Sequence, residues 1–344
     1  MIMFTVKHSC FDGVSSVKFV KQFLNNMNEI ASGVSNVDKD ITSLELLPSA
    51  RLGNTKRIGH SLFRFVVSYC GLRPILEFLL AKLIAYVVKK KPINPYYQKY
   101  PPLPPDDIPV EKLQRTNLRI FTKKETKSII DSCKANGCTV TGAITAAAHL
   151  AFYELLNEKN KEKTSLETLI PFNNRLLGNP KAPEDYLCYF VYFAAYYLKY
   201  SKTDPDDFWM MAKESTAQIK QVVKNESFVK EMSLLGVLNP NLLINIYYER
   251  NAYLKAISNV ISSYGVFNFS HNHDIPMTYT LNDCFVLPIV HRINSVFTHF
   301  VYTINGKLTW LVITDKTIPD AHAQQFSESC FNRVLAKSCG TKKE

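Results

Sequence analysis

The residues best suited to chemistry lie close to the N-terminus, in the segment His8-Ser9-Cys10-Phe11-Asp12-Gly13. A histidine that leaves a strand into a tight turn can point its ring into a cleft and remove a proton near neutral pH. The Asp12 side chain can hold such a turn by hydrogen bonding, and Gly13 gives the backbone freedom where the next helix begins. The spacing therefore predicts a general base on a turn, against the alternative of an exposed histidine without a chemical role.

The elements on either side of this segment predict how it is positioned. Phe4 to Val6 is typical of the end of a strand. From Val14 to Met27 the apolar residues recur at helical spacing. We therefore expect a strand, a tight turn and a helix to open the chain.

A second group of elements follows a proline-rich stretch. Residues 118–121 indicate a short strand, and Thr122 with Glu125 matches the capping box of a helix that ends near Gly137. Thr139 or Thr141 is expected to cap an alanine-rich helix that runs through about residue 156.

The remaining elements complete a mixed α/β pattern. Residues 166–172 and 186–200 are predicted strands, and the second is apolar on both faces, which favours the middle of a sheet. Asp204-Pro205-Asp206-Asp207 predicts the start of a helix, and Pro319-Asp320 predicts the start of a last one. Asn305-Gly306 between two apolar runs predicts a β-hairpin, because a type I′ turn needs positive φ at both central positions.

Composition excludes several classes of protein. The chain has 344 residues, of which 46% are hydrophobic and 21% charged, with only 12 glycines, so it is neither largely disordered nor collagen-like. Seven of its 17 prolines lie between Lys91 and Lys112, which predicts an extended connector. The eight scattered cysteines and the absence of a signal-peptide pattern at the N-terminus predict a cytoplasmic location.

The charge balance bears on partners. Lys and Arg number 41 against 30 Asp and Glu, a formal net charge of +11. A small polyanionic ligand or an anionic lipid surface suits this excess. Nucleic acid is not expected, because the basic residues are spread along the chain without a recognisable binding motif.

The most membrane-like stretch runs from Leu62 to Val88. Arg64, Arg73, Glu77 and Lys82 interrupt it before about 20 apolar residues accumulate, so it is not expected to span a bilayer. An amphipathic helix is predicted instead. The helix can pack against a core, or it can make peripheral contact with an intracellular membrane surface through the lysines at its end.

The segment from His8 to Gly13 resembles the HHxxxDG motif of the CoA-dependent acyltransferase superfamily, which includes chloramphenicol acetyltransferase, condensation domains and alcohol acetyltransferases. Residues 137–147, 170–175 and 262–265 are similar to later segments of that family, in the same order. The resemblance is closest to the alcohol acetyltransferase and condensation-domain branch and extends to the C-terminus. Lys7 stands where the family has the first histidine, and only seven residues precede His8, where family members carry a longer segment.

This resemblance implies a mixed-sheet, chloramphenicol acetyltransferase-like pseudo-dimer of two lobes, with an incomplete N-terminal lobe, and a tunnel between the lobes. Residues 1–90 would be the remainder of the N-terminal lobe, 91–112 the connector and 113–340 the C-terminal lobe. The resemblance implies that His8 is the general base, that Gly13 serves the turn and that Asp12 is structural, paired with Arg175. It also implies transfer of an acyl group from a CoA thioester to an alcohol or amine, with acyl-CoA as a co-substrate, no permanently bound cofactor and no metal.

Other interpretations stay open. A non-catalytic or truncated relative, acting as a binding or membrane-surface protein, is the main alternative, and an enzyme that uses carrier-bound acyl groups is another. His271 and His273 lack a second pair of metal ligands, so a metal site is not expected there. His149 and His299 are expected to be packed in the core or to lie at the surface. Cys10 is not expected to be a nucleophile. The acyl chain length, the acceptor and the oligomeric state are not predicted.

Overall fold

The protein contains a mixed sheet of six strands. The structure is a computed structural model, and it describes residues 1–8, 10–33, 73–101, 114–156, 166–173, 175, 186–197, 207–225, 257–269, 278–288, 295–315 and 317–339. The strands are β1 (Gln114–Ile120), β2 (Glu167–Asn173), β3 (Val191–Tyr197), β4 (Ile257–Phe267), β5 (Ser295–Ile304) and β6 (Lys307–Asp315). Their order is β1-β6-β5-β4-β2-β3. Strand β4 runs parallel to β2 and β5, and the other pairs are antiparallel.

Helices lie on both faces of this sheet. The described helices are α1 (Gly13–Ala31), α2 (Arg73–Lys90), α3 (Pro95–Lys99), α4 (Lys123–Ala135), α5 (Val140–Leu156), α6 (Phe208–Asn225) and α7 (Asp320–Cys339). Helix α5 packs between α6 and α7, and α4 packs on α7. The predicted mixed α/β architecture with a mixed sheet is therefore confirmed.

The core is divided by the sheet, because successive residues of a strand point to opposite faces. Phe297 and Val301 of β5 join the larger core with α4, α5, α6 and α7. Phe300 and Tyr302 of the same strand join a smaller core with Val17 of α1. All ten residues of β5 are buried, including the polar Ser295, Thr298, His299 and Thr303, because both faces of the strand are covered.

Several local predictions are confirmed. Thr122 and Glu125 exchange both hydrogen bonds of a capping box at the start of α4. The Thr139 hydroxyl, rather than that of Thr141, accepts a bond from the Gly142 N–H and caps α5. In the β5–β6 hairpin, Asn305 and Gly306 have φ of 48° and 81°, as a type I′ turn requires.

The predicted strand at Phe4 to Val6 is wrong. Residues 1–6 form no strand, and both of these side chains are exposed. The Phe4 ring packs edge-on against Phe19 and Phe23 of α1, at centroid distances of 5.1 and 5.0 Å. An apolar alternation predicts a strand only where a neighbouring strand can pair with it, and within the described residues none pairs here.

Two further expectations are corrected. Strand β3, expected in the middle of the sheet, lies at its edge and pairs only with β2 among the described strands. Apolar residues on both faces indicate that the faces are covered, but they do not show that both edges are paired. The connector predicted as extended contains helix α3, because Asn94 caps it, Pro95 is at its first position, and Tyr96 and Tyr97 are buried in the larger core.

Some predictions fall outside the described residues, including those on residues 62–72, on Asp204 to Asp206 and on the pair His271 and His273. The division into residues 1–90, 91–112 and 113–340 stays a prediction. Among the helices that the structure does describe, none is both long and apolar enough to cross a bilayer.

Candidate active site

The turn that carries His8 is closed by backbone and side-chain hydrogen bonds. The Cys10 N–H donates to the Lys7 carbonyl oxygen at 2.9 Å. His8 Nδ1 lies 2.7 Å from the Phe11 carbonyl oxygen. A carbonyl oxygen can only accept, so Nδ1 carries the hydrogen and, in the neutral ring, Nε2 has the free lone pair. The turn therefore presents Nε2 of His8 as a proton acceptor.

The surroundings of the His8 ring are uneven. One side meets Tyr189, edge to face, at a centroid distance of 5.8 Å. Burial, reinforced by the nearby Asp12 carboxylate, raises the pKa of Tyr189 to about 12, so this hydroxyl stays protonated and can donate a hydrogen bond. The His8 side chain is otherwise exposed.

Asp12 does not contact the imidazole; it holds the start of α1. Its side chain is 1% exposed, and Oδ1 accepts from the Ser15 N–H at 2.7 Å as the N-cap of the helix. Oδ2 also accepts from the Phe190 N–H at 2.9 Å. The carboxylate therefore joins the turn to a chain segment far along the sequence.

The predicted pair of Asp12 and Arg175 is present. Arg175 Nη1 lies 2.8 Å from Asp12 Oδ2, and Nη2 lies 3.1 Å from Oδ1, a two-point ion pair in which both residues are buried. Nη2 also donates to the Ser15 hydroxyl at 2.6 Å and to the Cys188 carbonyl at 3.0 Å. The guanidinium lies over the Phe190 ring, 5.0 Å from its centroid.

Ser15 completes this junction from the side of α1. Its hydroxyl donates to the Cys188 carbonyl at 2.7 Å and accepts from the Cys188 N–H at 3.0 Å. Three parts of the chain therefore meet at one buried ion pair: residues 12–15, residues 173 and 175, and residues 188–190. We call these residues the turn junction.

Gly13 is required for a different reason from the one that the sequence suggested. Its φ is not positive; the left-handed glycines among the described residues are Gly33, Gly137, Gly265 and Gly306. Instead, a Cβ on Gly13 would lie 2.2 Å from Cζ of Tyr264. The ring of Tyr264 thus occupies the space of a side chain at position 13.

Tyr264 reaches this position through an irregularity of β4. The register between β4 and β5 shifts between Ser263 and Gly265, and Gly265 has φ of 99°. Such a bulge redirects the side chains beside it. The Tyr264 ring also stacks on Tyr302 at 5.8 Å, and burial raises its pKa well above the ordinary value. Helix α1 therefore begins against a fixed aromatic surface.

His149 and His299 are unsuited to act as a base. His149 and His299 are fully buried, and burial lowers the pKa of each to about 3. Both are therefore packed core residues, which is one of the two positions expected for them from the sequence. Among the described residues, no cluster of three or more His, Cys, Asp or Glu side chains could hold a metal ion.

Sequence reasoning missed Ser15, Tyr189, Phe190 and the role of Tyr264. The position of Ser15, three residues after an aspartate N-cap, is the one signal that pointed to it. The other three act through backbone groups or ring surfaces, which no spacing in the sequence indicates.

Comparison with known proteins decides the family. The model of the alcohol acetyltransferase family matches residues 1–307. The chain belongs to this family. A search of curated proteins gave no match.

Solved structures with the same fold are distant in sequence. TRI3 trichothecene 15-O-acetyltransferase from Fusarium sporotrichioides is 14% identical, with a TM-score of 0.59, over 95% of this chain and 64% of that one. The epimerization domain from the third module of tyrocidine synthetase B is 11% identical, with a TM-score of 0.55, over 96% and 67%.

The predicted chloramphenicol acetyltransferase-like fold is thereby confirmed. This alcohol acetyltransferase family member spans about two thirds of the length of those two proteins. Family membership supports an acyltransferase activity.

Proposed function

We propose that this protein transfers an acyl group from a CoA thioester to an alcohol or amine, with His8 as the general base. The observation that carries the proposal is the bond from His8 Nδ1 to the Phe11 carbonyl oxygen, because it leaves Nε2 as the proton acceptor. The family match supports the reaction class.

In the reaction, Nε2 of His8 removes the proton of the acceptor hydroxyl or amine while the heteroatom attacks the thioester carbonyl carbon. The tetrahedral intermediate collapses with cleavage of the carbon–sulfur bond. The departing thiolate then takes the proton back from the imidazolium, so the base is regenerated and an ester or amide and free CoA remain. A covalent intermediate on the protein is not required.

The turn junction gives His8 its orientation in this scheme. Asp12, Arg175 and Ser15 fix the start of α1, and Tyr264 fixes the helix at Gly13. A base held in one orientation removes a proton faster than a mobile one, because less freedom is lost on the way to the transition state. The charge of +11 favours the phosphates of CoA.

A non-catalytic binding role is the second candidate, and the exposure of His8 favours it. Acyl transfer to an alcohol competes with attack by water, so a working base needs a site that excludes solvent. The two candidates differ in a measurable way, because only the first releases thiol from acyl-CoA.

The experiment is a thiol-release assay of the parent chain and of His8→Ala, with a panel of acyl-CoA donors and short alcohols or amines. We expect His8→Ala to lower kcat by about 10²–10⁴-fold with little change in CoA binding by calorimetry, since proton removal contributes mainly in the transition state. His322→Gln, a histidine of α7 outside the turn, is the matched control and should retain activity.

A His8→Ala variant as active as the parent would remove His8 from the mechanism. A folded parent chain that neither binds CoA nor releases thiol from any donor would favour the binding role instead.

We propose acyl-CoA as a co-substrate without a permanent cofactor, and a cytoplasmic location.

A further inference from the structure

Helix α2 leaves a large apolar surface in solvent. Six of its large side chains are each exposed by 54–59%, and they recur at the three- and four-residue spacing of one side of a helix. They are Ile75, Phe78, Leu79, Leu83, Tyr86 and Val87. We call this surface the α2 face.

The α2 face is not the side by which the helix docks on the protein. Ala85 and Val88, on the opposite side, are only 8% and 7% exposed. The helix has therefore buried one apolar side and still presents another. A surface helix of a soluble protein ordinarily places polar residues on its outer side, so a contiguous apolar outer side marks an interaction surface.

The charges beside the α2 face have one sign. Lys82, Lys89 and Lys90 are exposed on this side, whereas Glu77 is on the half-buried side of the helix. Among the described side chains of the exposed side, all the charged ones are therefore lysines. Such a combination of apolar, aromatic and basic residues is complementary to anionic headgroups above an apolar layer.

Two of the lysines lie against the aromatic residues of the face. Lys82 Nζ is 5.4 Å from the ring centroid of Phe78, and Lys90 Nζ is 4.5 Å from that of Tyr86. In this arrangement an aromatic ring can enter the interfacial region while the ammonium group stays at headgroup level.

We propose that the α2 face binds the surface of an anionic lipid bilayer, with its apolar side chains at the headgroup boundary and its lysines on lipid phosphates. A second copy of the chain suits the face less well. A two-fold interface would bring the same three lysines of each copy toward one another, without an acidic residue of the face to compensate them. The proposal stands independently of the acyltransferase activity.

The experiment is co-sedimentation of the full chain with phosphatidylcholine vesicles that contain or lack phosphatidylserine. We expect binding to the anionic vesicles, lowered at least about tenfold in Phe78→Gln/Leu79→Gln/Leu83→Gln because the apolar contact is lost. Lys82→Gln/Lys89→Gln/Lys90→Gln should lower it on the order of 100-fold, which corresponds to about 1 kcal/mol for each lysine near the surface. High salt should have a similar effect.

The matched control is Leu118→Gln/Phe285→Gln/Leu287→Gln, which removes one Phe and two Leu side chains that are exposed by 44–58% elsewhere. It should bind like the parent, and circular dichroism should show that all three variants fold. Failure of the folded parent to sediment with anionic vesicles would overturn the proposal. So would equal loss in the control, or a dimer in analytical ultracentrifugation that the α2 variant dissociates.

Discussion

Two buried polar networks differ in what they connect and in what holds them. The turn junction contains a full ion pair, Asp12 with Arg175, and joins segments that are 160 to 178 positions apart. The other network lies under α5 and contains neutral histidines. His149 bonds to Thr168 at 2.7 Å, and His299 lies between Asn259 and Trp310, at 3.2 and 3.1 Å.

The tautomer of His299 follows from its partners. The Trp310 indole N–H can only donate, so Nδ1 of His299 accepts and Nε2 donates to the Asn259 side-chain oxygen. The hydrogen bonds of this network are therefore made between neutral groups. The comparison teaches that the fold uses neutral groups inside one sheet and a charge pair where separate chain segments must be aligned.

The largest expected effect is loss of one partner of the ion pair. Asp12→Asn, which keeps an N-capping side chain, or Arg175→Met should each lower the free energy of unfolding by about 3–5 kcal/mol, because the surviving charge stays buried and uncompensated. Urea denaturation of both single variants and the double variant measures it. We expect the double variant to lose clearly less than the two single losses combined.

The exposed pair of Lys127 and Asp131, with side chains 76% and 52% exposed, is the control for this cycle. Its coupling should be at most about 1 kcal/mol, because both side chains are largely in solvent. Strict additivity at Asp12 and Arg175 would show that they do not act as a pair in solution.

A smaller loss of stability is expected from a steric clash at the same turn. Gly13→Ala places a Cβ in the space of the Tyr264 ring and should destabilise by about 1–3 kcal/mol through overpacking. Thermal and urea unfolding measure the loss. In a Tyr264→Leu background the same substitution should be milder; an equal loss in both backgrounds would assign the role of Gly13 to its backbone instead.

The smallest expected effect is the pH dependence that the buried, neutral His299 gives to the free energy of unfolding. Burial lowers the pKa of His299 to about 3, whereas in the unfolded chain it is about 6.5, so below pH 6.5 the unfolded state takes up the proton first. Stability is therefore lost as the pH falls from about 6.5 toward 3. Between pH 6.5 and 5.5 we expect the parent to lose about 1 kcal/mol more than His299→Gln in urea unfolding. Identical slopes for both proteins would show that His299 does not titrate differently on folding.

The sequence predicted those elements whose signals are local. The capping box at Thr122, the Asn305-Gly306 turn and the last helix need only neighbouring residues, and they are present. The strand at Phe4 and the central place of β3 failed because strand pairing depends on distant chain segments. Arg175 could be paired with Asp12 only through the family resemblance, because nothing in composition or spacing links residues so far apart.

The candidate site likewise contains features that a local motif predicted and features that depend on distant residues. His8, Asp12 and Gly13 were found from one short motif, but the motif did not reveal why Gly13 is needed. That reason lies in a bulge of β4, which brings Tyr264 against the turn. Close approach of a ring to a backbone is a property of packed elements and leaves no local pattern.

The turn junction joins residues that are far apart in the sequence, so it also determines when the His8 turn can form during synthesis. The His8 turn is synthesised long before residues 175 and 190, yet its fixed form needs the Phe190 N–H and the Arg175 side chain. Long-range contacts form late because closing a long loop lowers chain entropy before any contact compensates for it. The proposed base thus stays unpositioned on the growing chain until residue 190 has emerged, so the proposed acyl transfer cannot begin on a nascent fragment that ends before β3.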